Sequence, residues 1–208
     1  LRRIVPARAR SRADIEGYAL NLLREHQPEV IKGDSAFEIE RFFDCELERL
    51  SGVDPDYQNL EFGIYGYTDS ESKTCVISAE LAIDPWQVRF LRSTIAHETY
   101  HALVHVSEFR RKKAILTSIH GKDHSLRMYR ESEVKPYMNP EWQAWRFAGA
   151  ILMPEPGFKK LIAEGLSVTE ISNIYEVNPS FVRNRMRMLK IANKKEKGYC
   201  PVPLSLSC

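Results

Sequence analysis

The 208 residues carry 30 Lys and Arg against 28 Asp and Glu, a net charge of +2, which excludes a strong general attraction to nucleic acid. No apolar run is long enough to span a bilayer, and the length suffices for one domain with a core plus a small appendage. The four cysteines, Cys45, Cys75, Cys200 and Cys208, are scattered rather than framed for disulfides, so a reducing cytoplasm is the expected compartment.

The first twelve residues are basic (Arg2, Arg3, Arg8, Arg10, Arg12) and read as a flexible, solvated start. Ser11 and Asp14 then form a cap pair for a first helix, with Ile15, Tyr18, Ala19, Leu22 and Leu23 at helical spacing and Pro28 as its stop. Ser35 and Glu38 read as a capping box for a second, short helix, with Ile39, Phe42 and Phe43 on its apolar face and Cys45 packed as a small apolar residue. After Ser51-Gly52 the texture changes. Residues 62–67 and 74–78 are aromatic and β-branched around a polar turn, which predicts a β-hairpin. This is either plain scaffold or an edge that pairs with an extended peptide.

Asp84-Pro85-Trp86-Gln87 carries the signature of a helix start. The predicted helix runs about five turns, with Leu91, Ile95 and Ala102 on its buried stripe. It contains His97-Glu98-Thr99-Tyr100-His101, the pattern H-E-x-x-H. Residues four apart share a helix face, so two imidazoles can meet one metal ion. Glu98, about 100° further round, can reach a water at that ion. Neutral imidazole suits zinc, and a carboxylate beside such a water can take its proton. Given the composition, chance supplies roughly 0.02 matches to this pattern in the chain, so a metal site is the preferred reading over two ordinary histidines.

Between Val106 and Met138 the periodicity is poor and an irregular stretch is expected, with Arg110 to Lys113 as a solvated charge run and His120 and His124 on a loop. Asn139-Pro140 opens a helix that runs to Met153 and stops at Pro154. Glu141 lies in its first turn, and Ala144, Ala148 and Gly149 permit close packing. Ser167 to Glu170 is another capping box. Asn178-Pro179 opens a last helix with Val182, Met186 and Leu189 on one stripe and Arg183, Arg187 and Lys190 on another. This pair resembles a helix-turn-helix; its basic face reads as solvated rather than as a DNA contact, since one such unit on a neutral chain binds weakly. The tail from Lys194 reads as loose, and Cys200 with Cys208 is no zinc ribbon, which needs four ligands.

Two motifs in order, Thr94-Ile95-Ala96-His97-Glu98-x-x-His101-Ala102-Leu103-Val104-His105 and Glu141-Trp142-Gln143-Ala144-x-x-Phe147-Ala148-x-x-x-Leu152-Met153-Pro154, resemble the ImmA/IrrE metallopeptidases over roughly residues 13–190. The resemblance implies a bacterial or phage-derived cytoplasmic zincin whose metal ligands are His97, His101 and Glu141. It also implies a substrate that is a helix-turn-helix repressor, cleaved to switch on mobile-element or stress genes. Two positions depart from the family's common pattern: Thr99-Tyr100 stands where Leu-Gly is usual, and Trp145 where Asn is usual. Bulky Tyr100 is expected to narrow the cleft. Residue geometry agrees with Glu141 as third ligand. His105, about 80° round an α-helix from His97, points past a shared ion, and His120, His124, Glu131 and Glu133 fall in the expected irregular stretch.

The fold expected is therefore α+β: a zincin-like domain over 13–156 with a small antiparallel sheet, a helix-turn-helix-like segment over 157–193, a flexible start over 1–12 and a tail over 194–208. The expected function is that of a zinc-dependent endopeptidase, with manganese also compatible with the ligand set and Glu98 as general base. Tyr65, Tyr137, His120 and His124 are candidates for the oxyanion donor. The rival reading is a metal-binding regulator that acts through DNA or a partner protein without proteolysis; an intact base and an open fourth position argue against it.

Overall fold

The computed structural model describes residues 2–121 and 125–191; His124, Cys200, Cys208 and the tail lie outside them. The fold is α+β and mostly helical. Its central element is α4 (Val88–Tyr100), in which every residue from Leu91 to Tyr100 is buried. A helix buried on all sides has no room for a solvent face, so its polar residues must find partners or a function.

Around it pack α1 (Arg12–His26), α2 (Ile39–Ser51), the short α3 (Ala79–Ile83), α6 (Pro140–Leu152) and a three-stranded sheet. In the sheet, β4 (Thr74–Ser78) is central. It pairs antiparallel with β3 (Gly66–Asp69), Thr68 opposite Cys75, and parallel with β2 (Asp54–Gln58), Asp54 opposite Thr74. The expected hairpin is thus present, but its first strand begins at Gly66, and Phe62 is fully solvent-exposed. The sheet is mixed rather than purely antiparallel. Strand β2, sequence Asp-Pro-Asp-Tyr-Gln, carries no alternation to announce it; it is an edge strand, where Pro is tolerated.

Ser11 and Asp14 make the expected reciprocal cap on α1, and Asn139 Oδ1 accepts from the Glu141 and Trp142 amides to cap α6. Two expected caps differ. Ser35 Oγ is buried without a hydrogen-bond partner among the described residues, and α2 starts after Glu38 with no side-chain cap. Asp84 accepts from the Trp86 amide (2.9 Å) and Gln87 Nε2 (2.8 Å), which closes a turn ahead of α4 rather than capping it. Cys45 is exposed, because it falls between the buried positions Phe43 and Leu47 of α2; Cys75 is the buried one.

The largest departure follows α4. The chain continues through a π-helical turn, His101–Val106, into α5 (Ser107–His120), where an irregular stretch was expected. Helix α5 has no fully buried residue, so it lacks the apolar stripe by which a helix is read from sequence. Its charge run is tied down, with Arg110 donating to the Ser70 and Glu71 carbonyls and Lys113 paired to Glu71.

The basic start is tied down rather than loose, although Arg2, Arg3 and Arg8 stay exposed. Strand β1 (Arg3–Ile4) pairs with β5 (Tyr129–Arg130), Ile4 and Ala7 are buried, and the Ala7 and Arg10 amides donate to the Met138 and Tyr137 carbonyls. Residues 2–10 thus form a strap across the start of α6.

Helices α7 (Glu155–Ala163), α8 (Val168–Tyr175) and α9 (Pro179–Leu189) share the body's core through Phe158, Ile171, Tyr175, Val182 and Met186. Arg185 of α9 is completely buried. Its guanidinium meets both carboxylate oxygens of Glu16 on α1 (2.5 and 2.8 Å) and the Met153 carbonyl (2.9 Å). Arg92 of α4 similarly binds Glu40 (2.7 Å) and the Phe37 and Glu176 carbonyls. The helices expected as an appendage are therefore held to α1 by a buried ion pair and to α4 by the hydrogen bond from Arg92 to the Glu176 carbonyl (3.1 Å). Arg183, Arg187 and Lys190 are exposed, as expected of that face of α9.

Candidate metal centre

The four-residue spacing on α4 and the cap on α6 converge on one point. His97 Nε2 and His101 Nε2 lie 3.2 Å apart. Glu141 places Oε2 3.3 Å from His97 Nε2 and Oε1 3.6 Å from His101 Nε2. Among the described residues these three form the one group of His, Cys, Asp or Glu side chains able to hold a metal ion. The donor set fits zinc. Ligands about 2.0–2.1 Å from a tetrahedral ion lie about 3.4 Å from one another, close to the three separations here. The requirement that both imidazoles be neutral is met at His101, where burial, then neighbouring His105 and His97, push the pKa well below its usual value. At Glu141 burial acts upward, but the His97 hydrogen bond and the electropositive surroundings of His101, His97 and Arg2 outweigh it and hold the carboxyl well below the usual carboxylate range.

Glu98 is buried on the sheet side. Its Oε1 stands 4.0 Å from His97 Nε2, and its Oε2 accepts from the Thr68 hydroxyl (2.8 Å). Burial raises its pKa, with His97 and the Thr68 hydrogen bond acting the other way. Strand β3 comes this close because residue 66 is glycine. A Cβ there would stand 3.1 Å from Glu98 Cγ and from the Val76 carbonyl, tighter than a side chain accommodates without displacement.

His105 is not beside the three donors but behind them. An α-helix would swing it about 80° away from His97; the π turn winds fewer degrees per residue, and the His105 ring comes back against His101, centroids 4.8 Å apart. His105 Nδ1 lies 3.1 Å from His101 Nδ1, and its Nε2 lies 3.0 Å from Gln143 Oε1. With the His101 Nε2 lone pair directed at the donor cluster, its Nδ1–H donates to His105 Nδ1, and His105 Nε2–H donates to Gln143; this tautomer chain is the self-consistent one. Burial depresses the His105 pKa to about 4, which keeps it neutral as the chain requires. Gln143, fully buried, completes the chain by donating to the Arg8 and Tyr137 carbonyls while Oε1 also accepts from Arg10.

Several residues stand elsewhere than expected. Tyr100 does not narrow the cleft: it is 1% exposed and stacks on Phe147 in the core, centroids 4.8 Å apart. Trp145 does line the site, its ring centroid 4.3 Å from that of His97. Of the oxyanion candidates, Tyr65 meets Phe90 edge-on (centroids 4.8 Å apart), Tyr137 lies under Lys135 in the turn before α6, and His120 is the exposed last residue of α5; His124 lies outside the described residues. Sequence reasoning missed Thr68 and Arg2. The Arg2 guanidinium, half exposed, lies 3.1 Å from Glu141 Oε1, delivered there by the strap. Neither had a local signal, since both reach the site through strand pairing.

Residues 91–187 match the IrrE N-terminal-like domain, Peptidase_M78, and they contain the His-His-Glu cluster. That stretch is an M78 metallopeptidase domain. Among solved structures, a Mycobacterium tuberculosis transcriptional regulator is similar to this chain, with a TM-score of 0.56 and 16% identity over 89% of this chain and 49% of the other. At that identity the likeness concerns the fold, and the chain spans about half the length of that regulator. A search of curated proteins finds no match. Among the described residues no helix is long and apolar enough to cross a membrane.

Proposed function

We propose that this domain is a zinc-dependent endopeptidase in which His97, His101 and Glu141 hold the metal and Glu98 is the general base. The observation that carries the reading is the convergence of two Nε2 atoms and one carboxylate at tetrahedral spacing, with an oxygen of a second carboxylate, Glu98 Oε1, just outside them. When bound, the metal supplies Lewis acidity toward water and a peptide carbonyl. The protein's own groups do the rest. Thr68 engages Glu98 Oε2, which leaves Oε1 turned to the cluster. Glu98 accepts the proton of the attacking water and delivers it to the leaving amine. Strand β3, an outer strand of its sheet that touches Glu98 through Thr68 and Gly66, offers an extended substrate a backbone to pair with.

The substrate is a regulatory protein, by family resemblance a helix-turn-helix repressor whose loss derepresses mobile-element or stress genes, and the compartment is the cytoplasm. The similar fold of a protein titled a transcriptional regulator also favours a second reading, in which the metal-binding domain regulates through DNA or a partner without cutting. Glu98→Gln tests the two. The amide keeps the shape but takes no proton at neutral pH, so cleavage of the cognate repressor is expected to stop while metal content stays. Undiminished cleavage by the variant would overturn the mechanism; intact gene regulation by it in cells would favour the second reading.

A further inference from the structure

The two candidate histidine ligands are not held alike. A metal-bound imidazole ordinarily hands its second N–H to a carboxylate, carbonyl or water, which fixes the tautomer and the ring plane. His101 does so through His105. His97 does not: its Nδ1 is buried and has no hydrogen-bond partner among the described residues. An unsatisfied buried N–H costs about 1–3 kcal/mol, so something other than a conventional acceptor must keep the ring in place. The ring against it is the Trp145 indole, centroid 4.3 Å away at 45°. Trp145 is one helical turn beyond Glu141 on α6, so the two side chains share a face and meet the same imidazole. Phe181 of α9 stands edge-on behind the indole, centroids 6.2 Å apart, and the Arg185–Glu16 pair anchors α9.

We propose that Trp145 is the positioning residue of His97, its π face doing for this imidazole what a hydrogen-bond acceptor does for His101. An indole face is electron-rich and attracts an N–H dipole or the electropositive edge of a ring, and it cannot accept a competing proton. The contact also couples the position of α9, through Phe181, to a metal ligand. The inference rests on the reading of His97 as a ligand.

The test is metal affinity and spectroscopy rather than turnover. Zinc affinity is measured by chelator competition on the wild-type chain, Trp145→Phe, Trp145→Leu and His97→Ala, each checked for fold by circular dichroism. Loss of an outer partner of a metal ligand weakens binding on the order of 10–100-fold. Trp145→Leu, which keeps apolar bulk but removes the π face, is expected to fall in that range, and Trp145→Phe to stay within about threefold of wild type. In parallel, cobalt titration is expected to quench tryptophan emission in the wild type, and Trp145→Phe to lose most of that quenching although Trp86 and Trp142 remain. Wild-type affinity in Trp145→Leu would overturn the proposal, as would leucine-like loss in Trp145→Phe or full quenching without Trp145. If the wild type binds no metal, or His97→Ala binds it as tightly, the ligand assignment itself fails, which is a distinct outcome.

Discussion

His101 and His97 present the same atom to the same point, yet the protein holds them from behind by different means. His101 ends a chain of hydrogen bonds that passes through His105 and Gln143 to the carbonyls of Arg8 and Tyr137, so its anchor is the amino-terminal strap. His97 leans on an indole that leans on α9. One anchor is a chain of directional hydrogen bonds through buried side chains; the other is the electron-rich face of an indole, less exacting in direction, and Trp145 is 37% exposed. A directional chain tolerates no missing member, because each break leaves buried donors and acceptors unpaired, whereas an aromatic face tolerates exchange for another ring and small shifts of its backing. One side of the site is therefore expected to fail sharply on substitution and the other by degrees.

The largest effect is expected where both sides meet. Glu141 touches both imidazoles, and Glu141→Ala should leave the purified protein with almost no stoichiometric metal by elemental analysis, while Glu98→Gln retains it. Full occupancy of Glu141→Ala would remove the third ligand from the scheme. Next is the anchor of α9. Glu16→Ala strands a buried Arg185 guanidinium, and breaking such a pair costs about 3–5 kcal/mol, to be read from urea unfolding. If stability is unchanged, the pair is not what holds α9. Gln143→Leu breaks the chain behind His101 and leaves His105 and two carbonyls without their partner. A loss of about 2–3 kcal/mol in stability is expected, together with zinc affinity weaker on the order of 10-fold or more; unchanged affinity would mean that His101 needs no support. The smallest effect belongs to Phe181→Ala, which keeps the indole but loosens its backing. A change of about two- to threefold in zinc affinity is expected, and a drop as large as that of Gln143→Leu would erase the difference between the two anchors.

These contrasts also mark how far the sequence could be read. The pattern H-E-x-x-H, the cap at Asn139 and the stop at Pro154 are local: each depends on residues within one or two helical turns, and periodicity and capping act at that range. The helical positions of His97, Glu98 and His101 and the first-turn place of Glu141 were legible for that reason, as were the caps of α1 and α8. Helix α5 was not, because a half-exposed helix that continues another across a π turn carries neither an apolar stripe nor a cap of its own. Nor was the exposure of Cys45 or the core position of Tyr100, since each depends on which side of a helix meets a neighbour.

By itself, then, the sequence determined the chemistry: which donor types lie one turn apart on one helix, which carboxylate follows on a second, and which helices begin where. Tertiary structure alone decided what surrounds them. The pairing of β3 with β4 brings Thr68 to Glu98, the pairing of β1 with β5 brings Arg2 to Glu141, and the packing of α6 on α4 sets Trp145 against His97, with Phe181 of α9 behind it. Those neighbours are separated by tens of residues or more along the chain, and no local propensity encodes such contacts; they arise only when apolar faces are buried together and the chain is forced to bring distant segments to one place.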